Sequence, residues 1–196
     1  MVNSPNPSET WRTFIAIELP AGVRARITQH IDRLRREFPE VRTSWTGADN
    51  LHLTLKFLGN IPVGRVSALS EETEAAARTS KPFELVIAGC GTFPPYGQPK
   101  VLWIGINDGS SNLQQLYLAL EDRCAEAGFD REVRPYHPHL TIARLRARGG
   151  SRELAQAHRQ LVFANQTFTA SELVVFKSEL RSEGSKHTVT SRHRLG

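Results

Sequence analysis

A four-residue pattern that occurs twice, half a chain apart, places the strongest constraint on the fold. His52-Leu53-Thr54-Leu55 and His139-Leu140-Thr141-Ile142 share the order histidine, aliphatic, threonine, aliphatic. No other histidine of the chain begins that pattern. The copies start at positions 52 and 139, 87 residues apart. This separation is too large for one local element and suits two halves of one domain.

Each copy has the alternation expected of a β-strand. Residues i and i+2 of a strand point to the same face, so His52 should share a face with Thr54, and His139 with Thr141. The opposite, buried faces would carry Leu51, Leu53, Leu55 and Phe57 in the first copy and Leu140 and Ile142 in the second. Two such strands side by side would surround one cleft with two imidazoles and two hydroxyls, which suits an anion.

The order of predicted elements also repeats, because each half reads strand, helix, histidine strand, helix, strand. The intervals from Phe14 to His52 and from Val101 to His139 are both 38 residues. We predict an α+β fold with two pseudo-symmetric lobes, each an antiparallel β-sheet with outer helices, around a central cleft that holds both motifs. Residues 11–196 should form this single bilobal domain after a flexible tail, 1–10. Glycines and prolines predict a loop over 89–99, and a loop containing Trp45 and Gly47 should precede the first histidine strand.

Composition narrows the class of protein and of partner. A hydrophobic fraction of 39% and a charged fraction of 23% are ordinary for a globular domain. The net charge of +5 and the pI near 9.6 favour an anionic partner such as nucleic acid. A polar N-terminus and the lack of a long apolar run predict a cytoplasmic protein that does not contact a membrane. Cys90 and Cys124 form no Cys-x-x-Cys pair, so we expect two buried free thiols.

The wider contexts of the two motifs resemble a known family. Residues 50–59 and 136–144, together with the opening strand 14–20, resemble the 2H phosphoesterases, and among them the RNA 2′,3′-cyclic phosphodiesterase branch, long called 2′-5′ RNA ligases. The resemblance covers nearly the whole chain from about Arg12. It implies a metal-free bilobal enzyme that opens a 2′,3′-cyclic phosphate at an RNA end to leave a 2′-phosphate, with 2′-5′ RNA joining as a side activity.

The resemblance also implies roles for five residues. His52 would be the proton donor to the leaving 3′ oxygen, and His139 the base that activates water. Thr54 and Thr141 would hold phosphate oxygens, and Arg144 would help to bind the phosphate. It implies no cofactor, no metal and no obligate protein partner, so we expect a monomer whose partner is RNA with 2′,3′-cyclic phosphate ends.

The chemistry explains why these residue types recur together. Histidine has an ordinary pKa of about 6.5, so near neutral pH one copy can be neutral while the other is protonated. Each well-placed acid or base contributes roughly 10² to 10⁴ in rate. Threonine hydroxyls and an arginine can meet the charge on the nonbridging oxygens without a metal.

The directions in which two basic side chains point depend on the exact strand geometry. Arg144 follows His139 by five residues and falls on the opposite face of a regular strand, so it reaches the phosphate only if the strand ends or bulges. Lys56 would share the face of His52 and Thr54, where it either adds positive potential or is simply solvated.

Three alternatives remain open at this point. The chain could hydrolyse another 2′-linked or cyclic nucleotide, because the motifs describe the phosphate and not the base. It could be a non-catalytic RNA-binding module, although a binder has no need of two proton-transfer groups. His137 and His139 could chelate a metal with His52, but neither motif contains an Asp, Glu or Cys.

The remaining histidines and tryptophans have no patterned neighbours. We expect surface positions for His30, His158, His187 and His193, and core or lobe-packing positions for Trp11, Trp45 and Trp103.

Overall fold

A computed structural model describes residues 9–107, 111–146, 149–182 and 184–196. Residues 1–8, most of the predicted tail, lie outside this part, and Thr10 already begins the first strand. The strands are β1 (Thr10–Glu18), β2 (Thr43–Trp45), β3 (His52–Pro62), β4 (Phe83–Phe93), β5 (Val101–Asn107), β6 (His139–Leu145), β7 (Gln166–Ala170), β8 (Glu172–Arg181) and β9 (Gly184–Arg194). The α-helices are α1 (Ala21–Glu37), α2 (Val66–Ala77), α3 (Asn112–Glu126) and α4 (Ser151–Gln160).

The strands form two antiparallel sheets. The first sheet has the order β3-β1-β8-β9, and the second sheet has the order β2-β6-β5-β4-β7. Each histidine strand pairs with the opening strand of its own half, β3 with β1 and β6 with β5. The predicted α+β fold with two sheets and outer helices is confirmed.

The two halves of the chain exchange elements between the sheets. β4, from the first half, lies between β5 and β7 in the second sheet, and β8, from the second half, lies beside β1 in the first sheet. The helices follow the same exchange. α2 and α3 pack on the first sheet, whereas α1 contacts α4, which packs on β4 of the second sheet. Each lobe is therefore built from both halves.

The core joins the two lobes. Buried apolar side chains of both sheets and all four α-helices form one continuous cluster. A smaller cluster of Phe14, Ala16, Val174 and Phe176 covers the other face of the first sheet. Because β1 is covered on both faces, the five residues from Thr13 to Ile17 are all buried. Within the described residues, no helix has the length and apolarity that a bilayer crossing requires.

Two segments differ from the sequence prediction. β4 continues through Phe93, although its glycines predicted a loop from residue 89. A register shift between Ile87 and Cys90 takes up Gly89, whose φ of +75° an L side chain rarely adopts, and pairing with β5 then resumes. Trp45, expected in a loop, ends the short strand β2, which pairs with β6.

Candidate active site

Aromatic rings enclose the His52 imidazole at the start of β3. The ring of Phe14 stacks on it with centroids 4.7 Å apart, and Phe176 lies 6.1 Å away. His187, from β9, meets it edge-on at 5.4 Å. All three neighbours come from the first sheet, so the aromatic contacts of His52 are made within its own lobe.

The His139 imidazole has a corresponding environment in the second sheet. Phe93 meets it edge-on at 5.0 Å, and the indole of Trp103 lies at 6.5 Å. A pocket of about 390 Å³ opens beside this ring and is lined by His139, Trp103, Gly105 and other residues of the second sheet, together with His137 and Pro138 just before β6. His52 does not line that pocket.

The backbone two residues earlier in the chain acts on each imidazole. His139 Nδ1 donates to the carbonyl oxygen of His137 at 2.6 Å, and the backbone of Asn50 opposes the lowering of the His52 pKa by burial. For His139 this bond places the proton on Nδ1 and leaves Nε2 with a lone pair in the neutral ring. The hydrogen bond to His137 therefore orients the His139 ring, and the backbone at the corresponding position acts on the pKa of His52.

Both histidine strands bulge at the same place in the motif. In β3, Ala16 lies opposite Thr54 but Ile15 lies opposite Lys56, so Leu55 is the extra residue. In β6, Trp103 lies opposite Thr141 and Leu102 opposite Ala143, so Ile142 is the extra residue. Each bulge reverses the alternation of the residues that follow.

The bulge in β6 returns Arg144 to the side of Thr141. Ile142 and Ala143 are both buried, and Arg144 is exposed. The guanidinium of Arg144 is close enough to His139 to help lower the pKa of that imidazole. The condition set by the spacing of Arg144 is thus met by a bulge.

The bulge in β3 turns the Lys56 side chain to the buried face, away from His52 and Thr54. Its side chain is buried, and Nζ lies 2.8 Å from both carboxylate oxygens of Glu121 and from the backbone oxygen of Asp130. Both alternatives considered for Lys56, a positive charge in the cleft and a solvated side chain, are wrong. Phe57, expected to be buried, is 50% exposed, with the guanidinium of Arg12 above its ring at 4.5 Å.

Burial makes both motif histidines weak bases. It lowers the pKa of His52 to about 4, with a contribution from the nearby charge of His187. Burial also lowers the pKa of His139, and Arg144 and His137 add to that effect against the opposing carbonyl of His137. Both imidazoles are therefore mostly neutral at pH 7 in the ligand-free protein.

The structure thus assembles the five residues as two groups. His52 and Thr54 alternate with buried leucines on β3, and His139, Thr141 and Arg144 lie on one side of β6. β3 and β6 come close to each other where the two sheets meet. The Tyr136 hydroxyl also donates to the Thr54 carbonyl oxygen at 3.3 Å, which links the first motif to the segment that leads into the second.

Several neighbours of the motif histidines carried no local sequence signal. His187 lies 135 residues from His52, and only the pairing of β8 with β9 brings it close. Its Nδ1 is buried and has no hydrogen-bond partner among the described residues, so its predicted surface position is wrong. The same correction applies to His30, His158 and His193, which are buried. Trp103, for which a core or lobe-packing position was expected, lines the pocket beside His139.

A model of the 2′-5′ RNA ligase superfamily matches residues 23–181. The chain belongs to this superfamily. An RNA 2′,3′-cyclic phosphodiesterase of Escherichia coli K12 is 36% identical over 138 residues, which cover 70% of this chain and 73% of that protein. The crystal structure of E. coli LigT complexed with 3′-AMP superposes with a TM-score of 0.71 at 27% identity, over 95% of this chain and 99% of LigT.

Other members of the superfamily differ in length. An RNA 2′,3′-cyclic phosphodiesterase of Geobacillus stearothermophilus is 31% identical over 183 residues, which cover 93% of this chain. The match covers only 57% of that longer protein.

Proposed function

We propose that this chain is an RNA 2′,3′-cyclic phosphodiesterase that hydrolyses a terminal 2′,3′-cyclic phosphate to a 2′-phosphomonoester. The observation that carries the proposal is the shared geometry of two motif histidines. Each histidine interacts with the backbone two residues before it, and each strand has a bulge three residues after its histidine. Superfamily membership and the phosphodiesterase relatives support the same reaction.

In the proposed reaction the two histidines move one proton each. His139 Nε2 accepts a proton from water while the water oxygen attacks phosphorus. The bond from phosphorus to the 3′ oxygen breaks, and His52 donates its proton to that oxygen. One P–O bond forms and one breaks, and the ring opens to a 2′-phosphate. Solvent then removes the proton from His139 and returns a proton to His52.

The remaining three residues bind the anion in this proposal. The hydroxyls of Thr54 and Thr141 donate to nonbridging oxygens, and the Arg144 guanidinium supplies positive charge on the His139 side. These groups require no metal, which agrees with the absence of carboxylates from both motifs. Preorganised donors of this kind stabilise the charge that develops on the phosphoryl oxygens, and in many enzymes they contribute most to the rate enhancement.

The lowered pKa values fit these roles once the anion is bound. His139, neutral in the free protein, is already a base. His52 must gain a proton, and a phosphate placed beside its ring favours the charged imidazolium because opposite charges attract. Substrate binding would therefore favour the protonated form of His52, which is the form that acts as the acid.

RNA is the proposed substrate class. The net charge of +5 favours a polyanion, and the pocket of about 390 Å³ beside His139 is within the size range of small-molecule sites. The motif residues would contact the phosphate and not the base, so other 2′-linked or cyclic nucleotides are the alternative substrates. Because a catalyst accelerates both directions, 2′-5′ joining of RNA ends would be a side activity. We further propose that the protein acts as a monomer, since one chain supplies every residue of the site. We also propose that it acts in the cytoplasm.

A short RNA with a 2′,3′-cyclic end tests the proposal. The purified protein, with a chelator present, should convert it to an RNA with a 2′-phosphate, identified by chromatography against both phosphomonoester standards. A 3′-phosphate product would assign the leaving group to the wrong oxygen. Binding of the RNA without turnover would instead favour a binding module.

A further inference from the structure

A second cluster of chemically reactive side chains lies away from the two motifs. It contains His30 of α1, Cys90 of β4 and His158 of α4. His30 Nε2 lies 3.1 Å from His158 Nδ1 and 4.0 Å from Cys90 Sγ, and the three atoms all lie within 4.8 Å of one another. Both histidines are buried, and Cys90 is partly buried.

The cluster occupies the helix-covered face of the second sheet. Gly91 and Phe93, neighbours of Cys90 in β4, belong to the opposite face. Phe93 contacts His139, and a Cβ at Gly91 would meet the Trp103 ring at 2.1 Å. Cys90 points away from them because strand residues alternate, and it lies beneath α1 and α4. The cluster is therefore on the reverse side of the strands that line the His139 pocket.

One hydrogen bond fixes which nitrogen His158 offers. Its Nε2 lies 3.0 Å from the backbone oxygen of Trp103 and donates to it. The lone pair of the neutral ring is then on Nδ1, the atom that faces His30. A ligand histidine whose other nitrogen donates to a backbone carbonyl is the usual arrangement in metal sites, because that bond fixes the tautomer and the ring orientation.

We propose that His30 Nε2, Cys90 Sγ and His158 Nδ1 bind a single zinc ion, which ties α1 and α4 to the second sheet. Bond lengths of about 2.0–2.1 Å for Zn–N and 2.3 Å for Zn–S place tetrahedral ligand atoms roughly 3.3–3.6 Å apart. The two nitrogens, 3.1 Å apart, would separate slightly, and Cys90 Sγ, 4.0 Å from His30 Nε2 and within 4.8 Å of His158 Nδ1, would move toward them. Water or the Leu161 carbonyl oxygen, which lies 3.8 Å from Sγ, would take the fourth position.

Binding changes the protons of the cluster in a defined way. In the metal-free protein His30 Nε2–H donates to His158 Nδ1, and Cys90 holds a thiol proton. On binding, the His30 proton moves to its Nδ1 and the Cys90 proton leaves to solvent, because zinc binds thiolate and neutral imidazole. Nitrogen and sulfur ligands favour zinc over the oxygen-seeking magnesium and calcium ions. The role is structural, because neither motif histidine is a ligand.

Metal titration of the full-length protein, after chelation and desalting, tests this site. One equivalent of zinc per chain should bind, and cobalt should give a thiolate-to-metal charge-transfer absorption. Cys90→Ala should abolish that absorption and weaken zinc binding by more than the roughly 10- to 100-fold that loss of an outer-shell partner costs. Cys124→Ala, which removes the thiol of α3 on the first sheet, is the matched control and should bind as the unmodified protein does.

Alkylation gives a second test that needs no variant. Zinc should slow iodoacetamide labelling of Cys90 at least about tenfold, as located by mass spectrometry, because the bound thiolate is withheld from the reagent. No stoichiometric zinc, no cobalt–thiolate absorption, or zinc binding that survives Cys90→Ala and is lost in His139→Ala would each overturn the proposal. None of these readouts depends on phosphodiesterase activity.

Discussion

The Tyr136 hydroxyl donates a hydrogen bond to the Thr54 carbonyl oxygen across 82 residues of sequence. Tyr136 precedes His139 by three residues, and its ring stacks on Tyr117 of α3 with centroids 4.2 Å apart. Because α3 packs on the first sheet, the segment that leads into the second motif is attached to the lobe that carries the first. The spacing of the two motifs is therefore set by packing as well as by strand order.

Removing either motif imidazole should reduce kcat/KM by roughly 10² to 10⁴, because each transfers one proton. We expect this for His52→Ala and His139→Ala in hydrolysis of a 2′,3′-cyclic RNA end, with unchanged circular dichroism. His137→Ala should have a smaller effect, since it keeps the backbone carbonyl that orients His139 and removes only a side chain that lines the pocket. Near-normal activity in either motif variant would refute the two-histidine mechanism.

The pH dependence of kcat/KM should be bell-shaped and centred below the ordinary histidine value of about 6.5. This profile reports the free enzyme, in which one histidine must be protonated and the other neutral. Burial and the charge of His187 lower the pKa of His52 to about 4, and burial lowers that of His139. Above both values the acid loses its proton, so activity falls about tenfold per pH unit through neutrality.

The His187 variant tests the cause of that shift. His187→Gln removes a like charge beside His52, so the pKa of His52 should rise and the bell should move to higher pH. Initial rates measured over the acidic and neutral range give the profile. An optimum above the ordinary histidine value in the unmodified protein would contradict the assigned environment.

Arg144→Gln should lower kcat/KM about 10- to 100-fold, mainly through KM, because a hydrogen bond to a charged group contributes about 1.5–3 kcal/mol. Arg134→Gln is the matched control, since Arg134 is exposed and pairs with Glu132. Steady-state kinetics with the cyclic RNA substrate provide the comparison. Equal effects of the two substitutions would mean that only overall charge attracts the RNA.

Lys56→Ala should lower the free energy of unfolding by about 3–5 kcal/mol, because it leaves the Glu121 carboxylate buried without its cation. Lys56→Met combined with Glu121→Leu should recover much of that loss, since apolar side chains can replace a buried pair. Recovery should be incomplete, because the Glu132 amide also donates to Glu121. Urea titration measures these differences.

The exposed pair of Arg78 and Glu74 on α2 provides the control for that series. Arg78→Ala should cost no more than about 0.5 kcal/mol, as solvent screens an exposed helical pair. A loss in Lys56→Ala as small as this would show that the buried pair contributes little.

The sequence predicted the strands and the faces of the motif residues because period-two alternation is local. It could not give the bulges directly, since a bulge depends on the partner strand. In the second motif, Ile142 and Ala143 are adjacent apolar residues, which is a visible sign of the shift. In the first motif, Lys56 occupies the position that corresponds to Ala143. Because a lysine is expected on the exposed face of a strand, the same shift could not be recognised from the sequence.

Other features depend on contacts that no short pattern records. The repeat gives the order of elements but not their partners, so the exchange of β4 and β8 could not be predicted. The cluster of His30, Cys90 and His158 draws on three separate elements, and its nearest members in sequence, His30 and Cys90, are 60 residues apart. Only the folded chain brings them together.

The exchange of β4 and β8 means that neither half is a miniature of the whole. A chain cut within residues 94–99 would leave β4 without both of its neighbours, β5 and β7, because each belongs to the other fragment. The first sheet would likewise lose β8 from beside β1. Two such fragments would have to recombine, as reciprocal halves of a split protein do, before any sheet was complete.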